Sequence, residues 1–77
     1  MDKFLIEQFF DICHGYGCSR VINTTDLTMV VTNPKNRERV KLTSEYLTDC
    51  FMQQSRYSNQ IKATLNEMLD LLGLPNI

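Results

Sequence analysis

Hydrophobic residues near the start of the chain recur at intervals of three and four, which is the spacing of one face of an α-helix. The residues in this pattern are Leu5, Ile6, Phe9, Phe10, Ile12 and Cys13. Asp2 is a suitable N-cap and Gly15 a suitable left-handed stop. We therefore predict a first helix over residues 3–14, followed by a flexible turn at Gly15-Tyr16-Gly17.

The middle of the chain changes to the two-residue period of β-strands. Residues 27–32 are rich in β-branched side chains, residues 37–42 alternate between apolar and basic, and Asn33-Pro34-Lys35-Asn36 between them favours a turn. The expected inward-facing residues are Leu27, Met29 and Val31 in the first strand and Val40 and Leu42 in the second. The pattern predicts an antiparallel hairpin, to which residues 19–23 could add a third strand.

Two further helical patterns complete the chain. Thr43 or Ser44 is expected to cap a helix over residues 45–55, with Tyr46, Leu47, Cys50 and Phe51 as its apolar stripe. Ser58 is expected to cap a third helix that ends at Gly73, with an apolar stripe of Ile61, Leu65, Met68, Leu69 and Leu72. The order of helix, hairpin, helix and helix predicts one α+β domain over residues 1–77.

Composition narrows the classes of function. The formal net charge is −1, so no overall field draws the chain to nucleic acid or anionic lipid. No secretory signal opens the sequence and no apolar run approaches the ~20 residues of a membrane span, so we expect a cytoplasmic protein without membrane contact. Three cysteines are too few for a disulfide scaffold and suit a reducing compartment.

Metal or catalytic chemistry would have to come from Cys13, His14, Cys18 and Cys50. Four such ligands can complete a tetrahedral zinc site, so a small zinc-stapled domain remains an alternative. Neighbouring helical residues point about 100° apart, however, which separates Cys13 from His14. A cysteine–histidine nucleophile pair meets the same objection. We therefore expect no enzyme and no cofactor.

Four basic residues cluster around the predicted second strand: Lys35, Arg37, Arg39 and Lys41. Only Glu38 opposes them, so residues 27–44 carry a local charge of +3, from four positive and one negative side chain. The solvated face of the second strand is expected to carry Arg37, Arg39 and Lys41, which occupy alternate positions along it. This stripe could bind nucleic-acid phosphates or an acidic protein surface, or could protect an edge strand from unwanted pairing.

Apolar residues beyond those needed for a core give the main functional hypothesis. Phe4, Met52 and Leu71 fall outside the main stripes of their helices, and the apolar arcs of the first and third helices span roughly 160° each. Exposed apolar surface of this kind is typical of a homodimer or a partner-protein contact. The hypothesis is a non-enzymatic interaction module with basic rim contacts. Size class alone suggests a regulator or inhibitor of phage or mobile-element type.

Overall fold

The structure is a computed structural model that describes residues 3–77 and has the predicted α+β order, including the third strand. Its elements are α1 (Leu5–Gly15), β1 (Ser19–Asn23), β2 (Thr28–Thr32), β3 (Arg39–Thr43), α2 (Ser44–Met52) and α3 (Gln54–Leu72). The predicted cap Asp2 lies outside the described residues, and Phe4 takes the N-cap position of α1. Within residues 3–77, no helix combines the length and apolar character of a membrane span.

The three strands form one antiparallel sheet in the order β1-β2-β3. Met29 lies between Ile22 of β1 and Leu42 of β3, and Val31 lies between Arg20 and Val40. Since neighbours in register point to the same side, these residues share the inner face of the sheet. Val31, Val40 and Leu42 are buried there, as the alternation predicted.

The three helices form one layer on the inner face of the sheet, where their buried residues share a core with Val31, Val40 and Leu42. They contact one another, and α2 and α3 also contact β3, whereas the substantial contacts of β1 within residues 3–77 are with β2 alone. The core contains Ile6, Phe9, Cys13, Val31, Val40, Leu42, Cys50, Ile61, Leu65, Leu69, Leu72 and Leu74. The helices therefore cover the β3 side of the sheet and leave the β1 side open.

Two non-glycine residues lie before the strands that the alternation predicted would include them. Leu27 has φ 55° and lies in the turn before β2, and Arg37 has φ 63° and lies in the turn before β3. Leu27 therefore precedes β2 and does not belong to the strand alternation of Met29 and Val31. A left-handed conformation is unusual for such side chains and has no signature in the sequence, so the prediction of both as strand residues was wrong.

The end of α1 also differs from the prediction. Gly15 belongs to the helix, and the left-handed residue is Gly17, with φ 78°. The N–H of Cys18 donates to the carbonyl of Cys13 at 3.0 Å and that of Gly17 to the carbonyl of His14 at 3.0 Å. These two bonds satisfy the last carbonyls of α1 in the Schellman arrangement, which places the left-handed glycine two residues later than predicted.

The helix boundaries in the second half follow the predicted signals more closely. The Thr43 hydroxyl caps α2 by accepting from the N–H of Tyr46, and α2 ends at Met52 instead of residue 55. A kink at Tyr57, with φ −121° and ψ 31°, interrupts α3 just before the predicted cap Ser58. Gly73 closes α3 in the left-handed conformation, with φ 73°, as predicted.

The turn between β2 and β3 is fastened to the end of α3. The side-chain amides of Asn33 and Asn36 both donate to the carbonyl of Leu72, each at 2.8 Å. Asn33 is buried, so this bond also satisfies a polar group that lies away from water. The turn that carries Lys35 and Arg37 is thus held in a defined position.

Candidate protein-binding surface

Five large apolar side chains form a continuous surface beside α2, which we call the apolar strip. Its members are Ile22, Leu27, Leu47, Phe51 and Phe4. The first three line a cavity of about 180 Å³ between the hairpin and the start of α2. Leu47 and Phe51 are neighbours on α2 because they lie four residues apart. The rings of Phe51 and Phe4 meet edge to face, with centroids 5.3 Å apart.

Most of the apolar strip is exposed to solvent. The exposed fractions are 62% for Ile22, 60% for Leu27, 47% for Phe51 and 36% for Phe4, and Leu47 is half-buried against the core. Single exposed apolar residues are common on protein surfaces, but contiguous ones mark interaction sites. Because these residues lie next to one another, the strip differs from the single exposed apolar residues found on most protein surfaces.

The apolar strip exists because no helix covers the Ile22 end of β1. All five residues of β1 are exposed, although Arg20 and Ile22 lie on the inner face of the sheet. Near the start of β1, the Arg20 guanidinium lies 5.0 Å from the centre of the Phe10 ring of α1, a cation–π contact. Ile22 at the other end is left beside Leu47.

The three residues predicted as surplus apolar surface are all exposed but do not form one patch. Phe4 belongs to the strip, and Met52, 74% exposed, follows Phe51 at its margin. The side chain of Gln54 accepts from the N–H of Leu5, which holds the start of α3 beside Phe4. Leu71 lies at the other end of α3, roughly 20 Å beyond Ser58 at 1.5 Å per residue. Leu71 is therefore separate from the strip.

The predicted basic stripe is divided between two places. Arg39 and Lys41 lie on the outer face of β3, whereas Lys35 and Arg37 lie in the turn before it. Lys41 also forms an ion pair with Asp26 at 3.8 Å. Residues 19–45 contain no aromatic side chain, so this face has no ring on which a base could stack. All four cations lie away from the strip, which is on the helix side of the sheet.

The candidate metal ligands are only partly brought together. Cys13, His14, Cys18 and Arg20 help to line one cavity of about 370 Å³. Burial, together with the neighbouring Cys18, raises the pKa of the Cys13 thiol to about 12. Within residues 3–77, no three His, Cys, Asp or Glu side chains lie close enough to hold a metal ion. The zinc alternative therefore finds no assembled site.

Cys50 lies in a different environment, beside Tyr46 in α2. Burial raises the pKa of the Tyr46 hydroxyl and of the Cys50 thiol above their usual ranges. Both groups are consequently neutral near pH 7, and Cys50 is buried in the core. A protonated, buried thiol is a poor nucleophile, so Cys50 fits a packing role.

Sequence reasoning missed most of the strip. Leu27 and Ile22 were treated as strand residues, and Leu47 and Phe51 were assigned to the core stripe of α2. One signal of excess apolar surface was present: Val21 and Ile22 are adjacent in β1, so their side chains point to opposite faces of the sheet. One of these two apolar side chains must therefore lie on the face away from the helices.

No protein-family model, no curated protein and no solved structure matches the chain. The candidate surface therefore stands on its own geometry.

Proposed function

We propose that this chain is a non-enzymatic protein-interaction module that binds an apolar segment of another protein chain on its apolar strip. The observation that carries the proposal is the run of neighbouring apolar side chains from Ile22 to Phe4, of which all but Leu47 are exposed. Burying such a run releases about 25 cal/mol per Å² of apolar surface, which drives most protein association. Phe51 lies within the run and is the expected anchor, since aromatic residues dominate such contacts.

The chemistry of the strip favours a protein partner over nucleic acid or lipid. Its five members carry no charge, whereas a phosphate-binding surface needs several cations. The nearby Lys3 is engaged by Asp11 at 2.5 Å. The four basic residues predicted as rim contacts lie on the outer face of β3 and in the turn before it, away from the strip. We therefore assign the partner contact to the strip alone. The basic residues in question are Lys35, Arg37, Arg39 and Lys41.

Two matched substitutions test the proposal. Phe51 and Leu71 are each the second-last residue of a helix and are 47% and 61% exposed. An aspartate meets the same unfavourable helix dipole at either position. Phe51→Asp should weaken binding of a partner captured from the cells that produce the protein by about tenfold or more. Leu71→Asp should leave that binding within about twofold.

Binding is measured by titrating the captured partner against wild type and both variants, after thermal melts confirm that all three are folded. Equal loss in both variants would show that the partner does not recognise the strip. Full retention by Phe51→Asp would remove the proposal. Unfolding of Phe51→Asp would make this residue part of the core, and Ile22→Asp then gives the same test at the other end of the strip.

A further inference from the structure

One edge of the sheet is open and unprotected. β1 pairs with β2 on one side only, so half of its backbone N–H and C=O groups face outward without a strand partner. Proteins usually block such edges with charged side chains, proline or a bulge. β1 has no proline and no bulge, and its register with β2 is continuous from Ser19 to Asn23. Its one charged side chain, Arg20, lies over Phe10 of its own chain.

We propose that β1 pairs antiparallel with β1 of a second copy of this chain, with the two-fold axis at Val21. The two sheets would then join into one six-stranded sheet. This inference rests on the proposed function, because it identifies one partner of the module. That partner is a second copy of this chain, bound at the open side of the sheet.

The sequence of β1 is suited to pairing with itself. In an antiparallel register centred on Val21, Arg20 lies opposite Ile22 and Ser19 opposite Asn23. No two charges lie directly opposite each other, and a β-branched pair, Val21 with Val21, occupies the axis. Such cross-strand pairs favour sheet formation. The odd length of the strand places a residue, not a peptide bond, on the axis.

The same geometry extends the strip. A two-fold axis perpendicular to the sheet keeps the helices of both copies on one face. Ile22 of each copy then lies one residue from the axis on that face, so two strips meet end to end. Five-residue strands bury less than the ~800 Å² per partner of a standard interface. We therefore expect a weak dimer whose stability includes burial of Ile22.

Charge complementation at Val21 tests the register directly. Val21 is 62% exposed and points to the outer face, away from the strip. Val21→Lys or Val21→Glu places like charges face to face at the axis and should raise the dimer dissociation constant about tenfold or more. An equal mixture of the two variants should recover a mixed dimer. Val21→Thr, which keeps the β-branch, should remain dimeric. Sedimentation over a concentration series measures the wild type and these four samples.

Three results would overturn the inference: a wild type that is monomeric up to about 1 mM, single-charge variants that still dimerise, or a mixture that does not. If the charged variants fail to fold, Val21→Cys with a short bis-maleimide should still yield a covalent dimer, and Leu71→Cys, with similar exposure of 61%, should not. Absence of a covalent dimer from Val21→Cys would contradict the pairing of β1 with β1. Phe51→Asp reports on the strip separately, so each idea can fail alone.

Discussion

Individual side chains show where packing determines the chemistry of a group. Cys13 was one of the candidate ligands for the zinc alternative, which helix geometry disfavoured, and its side chain lies in the core. Burial disfavours the thiolate and, together with Cys18, raises the pKa of Cys13 to about 12. The surroundings of Cys13 therefore make it an apolar filler.

The raised pKa of Cys13 predicts a loss of stability in alkali. Burial raises the pKa of Cys13 in the folded state to about 12, above the 9.0 of an exposed thiol, so the folded state holds its proton more tightly. Stability from this group is present below pH 9 and is lost as pH rises toward 12. The free energy of unfolding, measured by urea titration between pH 8 and pH 11, should therefore fall with pH. Cys13→Ala should make this fall shallower, and an unchanged slope would show that Cys13 is not the source.

Other residues mark the limit of sequence prediction at this scale. Leu27 and Arg37 adopt left-handed backbone conformations that glycine or asparagine would normally signal. Hydrogen bonds made by distant residues accompany these conformations: the N–H of Ser44 donates to the carbonyl of Leu27, and Asn36 bonds Leu72. No local pattern contains such long-range contacts.

Helices and strands were predictable wherever one periodic pattern had a clear stop. The apolar stripe of α3 ends at Gly73, as its sequence indicated, because glycine followed by Leu74 and Pro75 leaves no alternative helical continuation. The end of α1 offered two glycines, and the pattern did not distinguish Gly15 from Gly17. The start of α3 was placed at Ser58, where the structure has its kink.

The two glycines at helix ends give opposite predictions for the same substitution. Gly73→Ala puts a Cβ at φ 73° and 3.0 Å from the Asn36 side-chain nitrogen, so it should destabilise the fold by about 1–2 kcal/mol. Gly15→Ala meets nothing within 4 Å and replaces a helical glycine, so it should stabilise the fold by up to about 1 kcal/mol. Urea unfolding of both variants measures the pair, and equal effects would contradict the assigned helix ends.

At the scale of the whole molecule, three helices cover only part of a three-stranded sheet. The sequence predicted excess apolar surface but could not place it, because the excess depends on which strand is left without a helix. Phe4 was identified in advance, whereas Ile22 and Phe51 depend on the sheet order and on the contact between α1 and α2. Leu71 is exposed as well but lies at the far end of α3.

The central claim is that another protein chain covers the apolar strip in the cell. Site-specific photo-crosslinking tests it most directly, with a benzophenone amino acid placed at position 51 or at position 71. We predict that irradiation of living cells yields a defined covalent adduct from position 51 and none from position 71. An adduct with the mass of two chains would identify a second copy as the occupant, and a larger one a different protein. Equal labelling at both positions, or no adduct at position 51, would contradict the account.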